Sequence, residues 1–361
     1  MNTNHSDIYE TFFQLVKLGI GTANSVNIPN NTDWQSLKAL TDRQGLTAIV
    51  LDGIESLPDN QRPPQVLLLE WIGEVLQNYE QRYAQYKEAI ESLAGFYNQH
   101  GYKMMVLKGY ICSLDWPKPE HRPCGDIDIW LFGQYKEADA ALAKEKGLKI
   151  DSSHHHHTTF TWRDFLVENH YDFINVHHHK SNIELDRVLK ELAAVDSNYV
   201  EVLGEKVYVP SPTFHAFFLM RHTMNHFSSS EITFRQLLDW AFFVEKHRKD
   251  VDWEKFMKEA ERFGMMRLFN VFNAICVENL GFSSTIFPQV QLEPMLKEQV
   301  LKEIVEPGFS GVEPKGIIRR VIFKFRRWKA NGWKHELCFK ESMWSAFWSG
   351  VWSHILKPMS I

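Results

Sequence analysis

The chain has 361 residues, of which 44% are hydrophobic and 24% are charged, and its formal net charge is −5. This composition is that of a folded globular protein, and the length predicts two or three domains or subdomains. The acidic balance argues against a protein whose whole surface binds nucleic acid. Four scattered cysteines without a CxxC pair argue against a disulfide framework and a cysteine zinc site.

The first 100 residues are predicted to be helical. Apolar residues recur at helical spacing, most clearly between Val66 and Asn98, and Gly101 ends this region. The N-terminus lacks the basic and apolar parts of a signal peptide, and no uncharged apolar run reaches the ~20 residues of a transmembrane helix. We therefore expect an N-terminal helical region over residues 1–100 and a cytoplasmic protein.

An α/β core is expected over residues 101–210, because the periodicity changes after Gly101. The predicted strands are KMMVL (103–107), DIDIWLF (126–132), and an antiparallel pair of YDFINVHH (171–178) and NIELDRVL (182–189), with EVLGEKVYV (201–209) as a hairpin. The predicted helices are YICSLDW (110–116) and QYKEADAALAKEKG (134–147). Ser211 and Pro212 then start a mainly helical region over residues 211–361.

Asp126 and Asp128 stand one residue apart on a predicted strand, so their side chains share one face. Burying two unpaired carboxylates together is costly, and a divalent cation would remove the conflict. Mg²⁺ takes oxygen ligands and commonly uses one or two carboxylates together with substrate phosphates. Taken alone, a DxD is common by chance and is better explained by an edge strand whose polar face meets water.

The surrounding motifs favour the metal. Lys108 and Gly109 follow a predicted strand and precede a helix, where free N–H groups and a lysine suit a phosphate. Glu184 and Asp186 share a face of the predicted strand NIELDRVL, so one of them would supply a third carboxylate.

This arrangement resembles the nucleotidyltransferase superfamily typified by DNA polymerase beta. VLKGYICSLDWPKPEHRPCGDIDIWL (106–131) is similar to a largely uncharacterised bacterial branch of it, and the resemblance extends to WQSLKALTDRQGLTAIVLDGI (34–54). The implied fold is α+β, with a small mixed sheet, flanking helices, and N- and C-terminal helical regions. The implied reaction is Mg²⁺- or Mn²⁺-dependent transfer from an NTP such as ATP to an unidentified acceptor, which could be a protein, small molecule, sugar or nucleic acid.

The resemblance also implies roles for individual residues. Metal ligation is expected of Asp126, Asp128 and Glu184, and contact with the triphosphate is expected of Lys108, Gly109, Arg122 and Gly125. The branch often has its third acid in a DLH or ELH sequence, whereas this chain has Glu184-Leu185-Asp186, with an aspartate in the place of the histidine. Possible supporting residues are Asp186, His178, His222, Arg235 and Asp239.

The histidine-rich segments allow two interpretations each. HHHH (154–157) could bind a metal, but adjacent histidines in an extended run point to opposite faces, which favours a mobile loop. His222 and His226 have zinc-binding spacing without a clear third ligand. A structural network with Arg235 and Asp239 on the next helix is the preferred interpretation.

The segment KGIIRRVIFKFRRWKANGWK (315–334) carries eight basic residues and no acidic ones. Its aromatic residues could stack on nucleic-acid bases or lie at an anionic membrane surface, and a segment without a binding role is about equally well supported. Two alternatives to catalysis therefore stay open. The chain could be a non-catalytic nucleotide- or partner-binding module, or it could act through this segment at a membrane or on nucleic acid.

Overall fold

The computed structural model describes residues 3–177, 179–195, 197–288, 293–309 and 314–356. The fold is α+β, as predicted, with one mixed six-stranded sheet surrounded by helices. The strands are β1 Met105–Val106, β2 Ile127–Trp130, β3 His157–Trp162, β4 Phe165–His170, β5 Tyr199–Val202 and β6 Glu205–Tyr208. Among the described residues, no helix combines the length and apolar character needed to cross a membrane.

The N-terminal region is helical, as predicted, and the C-terminal region consists mainly of helices. The helices are α1 Thr3–Gly19, α2 Trp34–Gln44, α3 Thr47–Glu55, α4 Gln65–Val75, α5 Arg82–Gln99, α6 Tyr110–Ser113, α7 Tyr135–Lys146, α8 Lys180–Ala194, α9 Pro212–Ser229, α10 Phe234–His247, α11 Trp253–Arg262, α12 Met266–Glu278, α13 Pro294–Val305, α14 Ile317–Ala330, α15 Gly332–Cys338 and α16 Met343–Leu356. A π-helical segment, Leu76–Gln81, joins α4 to α5.

The sheet order is β3-β4-β2-β1-β6-β5. β2 is parallel to β4 and antiparallel to β1, and it therefore lies inside the sheet with all four residues buried. Side chains alternate between the two faces of a strand. Ile127 and Ile129 pack in a cluster with α5 and α7, whereas Trp130 packs in a second cluster with α9 and α10. Asp128 shares the face of Trp130, which is the face turned toward the C-terminal helices.

The second cluster joins the two ends of the chain. It contains buried residues of α1 to α4 together with residues of α8 to α13. The ring centroids of Phe12 in α1 and Phe234 in α10, for example, lie 5.8 Å apart. The N- and C-terminal helices therefore share one hydrophobic core on the same side of the sheet. The boundaries at residues 100 and 210, which separate the α/β core from the two helical regions, stay a prediction.

Two predicted strands are wrong. Residues 182–189 lie in helix α8, because the buried residues Asn182, Leu185, Leu189 and Ala193 recur every three or four positions. Residues 171–177 of the other predicted strand form a loop. The strand in this part of the chain is β4, which ends at His170, directly before that loop. The hairpin is confirmed as β5 and β6, joined by a turn at Gly204 (φ +94°).

Candidate active site

A group of charged side chains lies on the buried face of β2 and β4. Asp128, only 1% exposed, is aligned with Glu168 in the parallel register of the two strands. Lys108 lies beside them, with its Nζ 3.0 Å from Asp128 Oδ1 and 3.7 Å from Asp126 Oδ2. This lysine follows β1, so three neighbouring strands bring the group together.

His170 completes the group, two residues after Glu168 on the same face of β4. Its Nε2 lies 3.1 Å from Asp128 Oδ1 and 3.5 Å from Glu168 Oε2. Burial alone would lower the pKa of His170, but the hydrogen bonds and charges of the two carboxylates raise it to about 9. Burial opposes ionisation of Glu168, yet His170, His157 and Lys108 lower its pKa to about 2. His170 is therefore protonated and lies between the carboxylates of Asp128 and Glu168.

Glu184, predicted to be the third acid, does not join this group. It lies on helix α8, is about half exposed, and pairs with Arg262 on the protein surface. Glu168 takes the position that was expected of Glu184. A sequence signal for it exists, because Glu168-Asn169-His170 has an acid and a histidine at the same spacing as the ELH pattern.

Asp186 has a structural role that the sequence did not reveal. Its carboxylate accepts hydrogen bonds from the backbone N–H of Phe173 at 2.7 Å and from Lys190 at 2.8 Å. Lys190 also pairs with Asp172, so Asp186 fixes the loop that follows β4. His178, the other predicted supporting residue in this segment, lies outside the described residues.

Arg122 is held by Asp239 rather than turned freely toward a ligand. Its Nε and Nη2 donate to the two carboxylate oxygens of Asp239 at 2.8 and 2.9 Å, and both side chains are buried. Trp116 Nε1 donates to the same carboxylate at 2.9 Å. The bidentate pair fastens the loop before β2 to α10. The predicted network of His222, Arg235 and Asp239 therefore differs from the observed one, in which Asp239 binds Arg122.

Beside Asp126 lies a cavity of about 260 Å³ between the sheet and helices α9 and α10. Its lining includes these predicted site residues: Lys108, Gly109, Arg122, Gly125, Asp126, His222, Arg235 and Asp239. Lys108 donates a hydrogen bond to His222 Nε2 at 3.2 Å. Burial and the charge of Lys108 lower the pKa of His222, so this imidazole is neutral.

Arg235 gives the cavity a cation with spare hydrogen-bonding capacity. Its Nε is buried without a hydrogen-bond partner. Burial and the neighbouring charge of Arg122 lower the pKa of its guanidinium. A buried donor without a partner is costly, and an anion in the cavity would satisfy it.

Gly109 is required by the backbone. Its φ is +64°, and a Cβ at this position would lie 2.4 Å from the Tyr86 hydroxyl, which donates to the Asp126 carbonyl at 2.7 Å. A branched residue here would displace Tyr86 from Asp126. A loss of nucleotide binding in Gly109→Val would therefore not isolate a phosphate contact.

Gly109→Ala is predicted to destabilise the fold by about 1–3 kcal/mol, because alanine strains this backbone and meets Tyr86. Urea denaturation without nucleotide would measure this. Gly125→Ala is the control: Gly125 lines the same cavity, but a Cβ there meets nothing within 4 Å. Equal stability of the two variants would contradict the role given to Gly109.

Residues 154–156 of the HHHH run form a bend that leads into β3, and His155 and His157 are buried while His154 is exposed. His157 is the first residue of β3 and lies directly opposite His170 in the antiparallel register with β4. The backbone carbonyl of His156 accepts hydrogen bonds from the N–H groups of Tyr171 and Asp172. These bonds tie the run to the end of β4, which neither alternation nor composition could have shown.

Comparison with known proteins agrees with the resemblance found in the motifs. The sequence model of a family described as "Uncharacterised nucleotidyltransferase" matches residues 30–281, well over half of the chain. No curated protein and no solved structure matches the chain. The matched region includes β1 to β6 and the helices that line the cavity, and the chain belongs to this uncharacterised nucleotidyltransferase family.

Proposed function

We propose that the protein transfers a nucleoside monophosphate from an NTP to an acceptor hydroxyl with the help of Mg²⁺ or Mn²⁺. The observation that carries this proposal is the alignment of Asp128 with Glu168 on paired strands, next to Asp126 and a cationic cavity. Membership in a nucleotidyltransferase family supports the reaction class.

The carboxylates fit a hard divalent cation. Asp128 Oδ2 is buried and has no hydrogen-bond partner, so the site carries an oxygen with an unused lone pair. Asp126 and Asp128 would hold the ion, and Glu168 would approach it from β4. When bound, such an ion neutralises charge on the phosphates of the reacting nucleotide.

The cavity suits the phosphates rather than a whole nucleotide. Its volume of about 260 Å³ lies below the roughly 300–1,000 Å³ of pockets that enclose complete ligands. Arg235 would donate to a phosphate oxygen through its unpartnered Nε. Lys108 would balance charge between the carboxylates and the phosphates, because its Nζ already lies between Asp126 and Asp128.

Glu168 is better suited to binding charge than to accepting a proton. A carboxylate with a pKa of about 2 is a weak base near neutral pH. Glu168 would therefore help to hold the ion rather than take the proton of the attacking hydroxyl.

The test is label transfer from each α-³²P-labelled NTP, with Mg²⁺ or Mn²⁺ and a cell extract as the source of acceptor. Wild-type protein should put label on a new species, and Asp128→Asn should not. If both give the same labelling, the activity does not belong to this site. If neither labels anything but wild type binds NTP, the non-catalytic binding module is the better interpretation.

A second candidate function, attachment to an anionic membrane surface, is favoured by helix α14. Its side chains Ile318, Val321, Ile322 and Phe325 are 76, 60, 48 and 50% exposed and lie on one face at helical spacing. Its other residues include six arginines and lysines and no acid. Exposed aliphatic residues bordered by cations suit a bilayer interface better than stacking on bases.

Phe325→Glu combined with Ile318→Glu is predicted to release the protein from vesicles containing anionic lipid, measured by co-sedimentation at low salt. Val66→Glu with Leu69→Glu is the matched control, since these side chains of α4 are 72 and 60% exposed on a helix without basic residues. Wild type should not bind neutral vesicles. Equal binding of both double variants would place the contact elsewhere, and binding to RNA in place of vesicles would favour nucleic acid.

A further inference from the structure

The histidines beside the carboxylates form a second group of ligand atoms. His156, His157 and His170 each offer a ring nitrogen, and these three nitrogens lie within 4.8 Å of one another. His157 and His170 come from opposed positions on β3 and β4, and His156 directly precedes β3. The sheet register therefore sets their spacing.

The group contains nitrogen atoms without hydrogen-bond partners. His157 is 6% exposed, and its buried Nδ1 makes no hydrogen bond; the Glu168 carboxylate lies 3.9 Å away, too far for one. His156 Nδ1 is also buried without a partner. Two unpaired imidazole nitrogens at the end of one hairpin are unfavourable unless something binds them.

His170 is oriented as metal-binding histidines commonly are. One ring nitrogen, Nδ1, lies 3.2 Å from the carbonyl oxygen of Asp172 and donates to it. This bond directs Nε2 toward Asp128 and Glu168. A backbone carbonyl that fixes the tautomer in this way is a usual partner of a ligating imidazole.

We infer that His156, His157 and His170 bind a transition-metal ion of the Zn²⁺ class, at a site distinct from the carboxylate site proposed for Mg²⁺. Three imidazoles suit Zn²⁺, Co²⁺ or Ni²⁺, whereas Mg²⁺ requires oxygen ligands. A water molecule would supply a further ligand. The bound ion would replace the proton on His170 and keep a positive charge beside Asp128 and Glu168.

The test uses full-length, tag-free, metal-stripped protein titrated with Co²⁺, whose visible absorption reports nitrogen-ligated, low-coordinate binding. We expect one equivalent to bind, to be displaced by Zn²⁺, and to resist excess Mg²⁺. His157→Ala removes a proposed ligand, so it should weaken Co²⁺ binding by at least about 10–100-fold, the loss typical when only a hydrogen-bond partner of a ligand is mutated. Far-UV circular dichroism would confirm that the variant is folded, and His157→Gln offers a milder change if it is not.

Two controls separate this site from its neighbours. His154→Ala alters the same histidine run outside the group and should leave Co²⁺ affinity unchanged. Asp126→Asn removes a proposed Mg²⁺ ligand and should also leave it unchanged. If His157→Ala and wild type bind Co²⁺ equally, or if Asp126→Asn alone abolishes binding, the inference is overturned. Label transfer is measured separately, so either proposal can fail while the other stands.

Discussion

Glu168→Gln is expected to reduce nucleotidyl transfer by roughly two to three orders of magnitude, the size of effect seen when one transition-state-stabilising group is removed. Glutamine keeps the shape of the side chain but loses the charge that Glu168 places opposite Asp128. The measurement is the rate of label transfer at saturating NTP and divalent cation. Melting temperature would be recorded for each variant, so that a loss of activity is separated from a loss of fold.

Glu184→Gln is the matched control, since it makes the same chemical change at the acid that the sequence suggested. Glu184 is about half exposed, and its partner Arg262 is also on the surface. An exposed ion pair of this kind contributes about 0–1 kcal/mol, so both stability and activity should be preserved. Reversed results for the two variants would restore Glu184 as the third acid and contradict the site described above.

Asp239→Ala is expected to destabilise the protein by about 3–5 kcal/mol, because it leaves the buried guanidinium of Arg122 without its counter-ion. The substitution also removes the acceptor of the Trp116 indole N–H. Urea denaturation, with the midpoint and slope both fitted, is the measurement.

Asp59→Ala provides the comparison for an exposed pair, because Asp59 is 95% exposed and contacts Arg62 at 3.1 Å. The free energy of unfolding of Asp59→Ala is expected to stay within about 1 kcal/mol of that of the wild type. If Asp239→Ala destabilises the protein no more than Asp59→Ala does, the ion pair of Arg122 with Asp239 is not what holds Arg122 in place. The predicted contact of Arg122 with the triphosphate would then regain its support.

Much of the site could be predicted because its determinants are local. Strand β2, Lys108 and the two aspartates lie in one continuous segment, where alternation decides the shared face. The α/β core after residue 100 was indicated by the change of period near Gly101. These features depend on neighbours in sequence, and the sequence displays them directly.

The third acid could not be chosen in this way, because it depends on which strand pairs with β2. In residues 183–186, apolar Ile183 and Leu185 alternate with two acids, which fits a strand as well as a helix. Only the burial of Leu185 and Leu189, four residues apart, decides for the helix. The pairing of β4 with β2 is a tertiary contact between segments about 40 residues apart. Glu168 therefore belongs to a recognisable motif, Glu168-Asn169-His170, but nothing in the sequence showed that it lies beside Asp128.

The histidine run shows the same limit. Alternation argued against a metal site within residues 154–157, but it applies only inside a strand. His156 lies in the bend before β3, and its ring centroid is 4.3 Å from that of His157. The third member of the group, His170, comes from another strand, so the cluster exists only after β3 and β4 pair. The spare Nε of Arg235 is likewise visible only when the cavity has formed.

The most direct test of the central claim is a comparison of α-³²P- and γ-³²P-labelled NTP in the same reaction, with wild type and Glu168→Gln in parallel. The account predicts that the α-label appears on the acceptor, that the γ-label leaves as pyrophosphate, and that Glu168→Gln suppresses both. Transfer of the γ-label to the acceptor, or α-label transfer that is unaffected by Glu168→Gln, would contradict it.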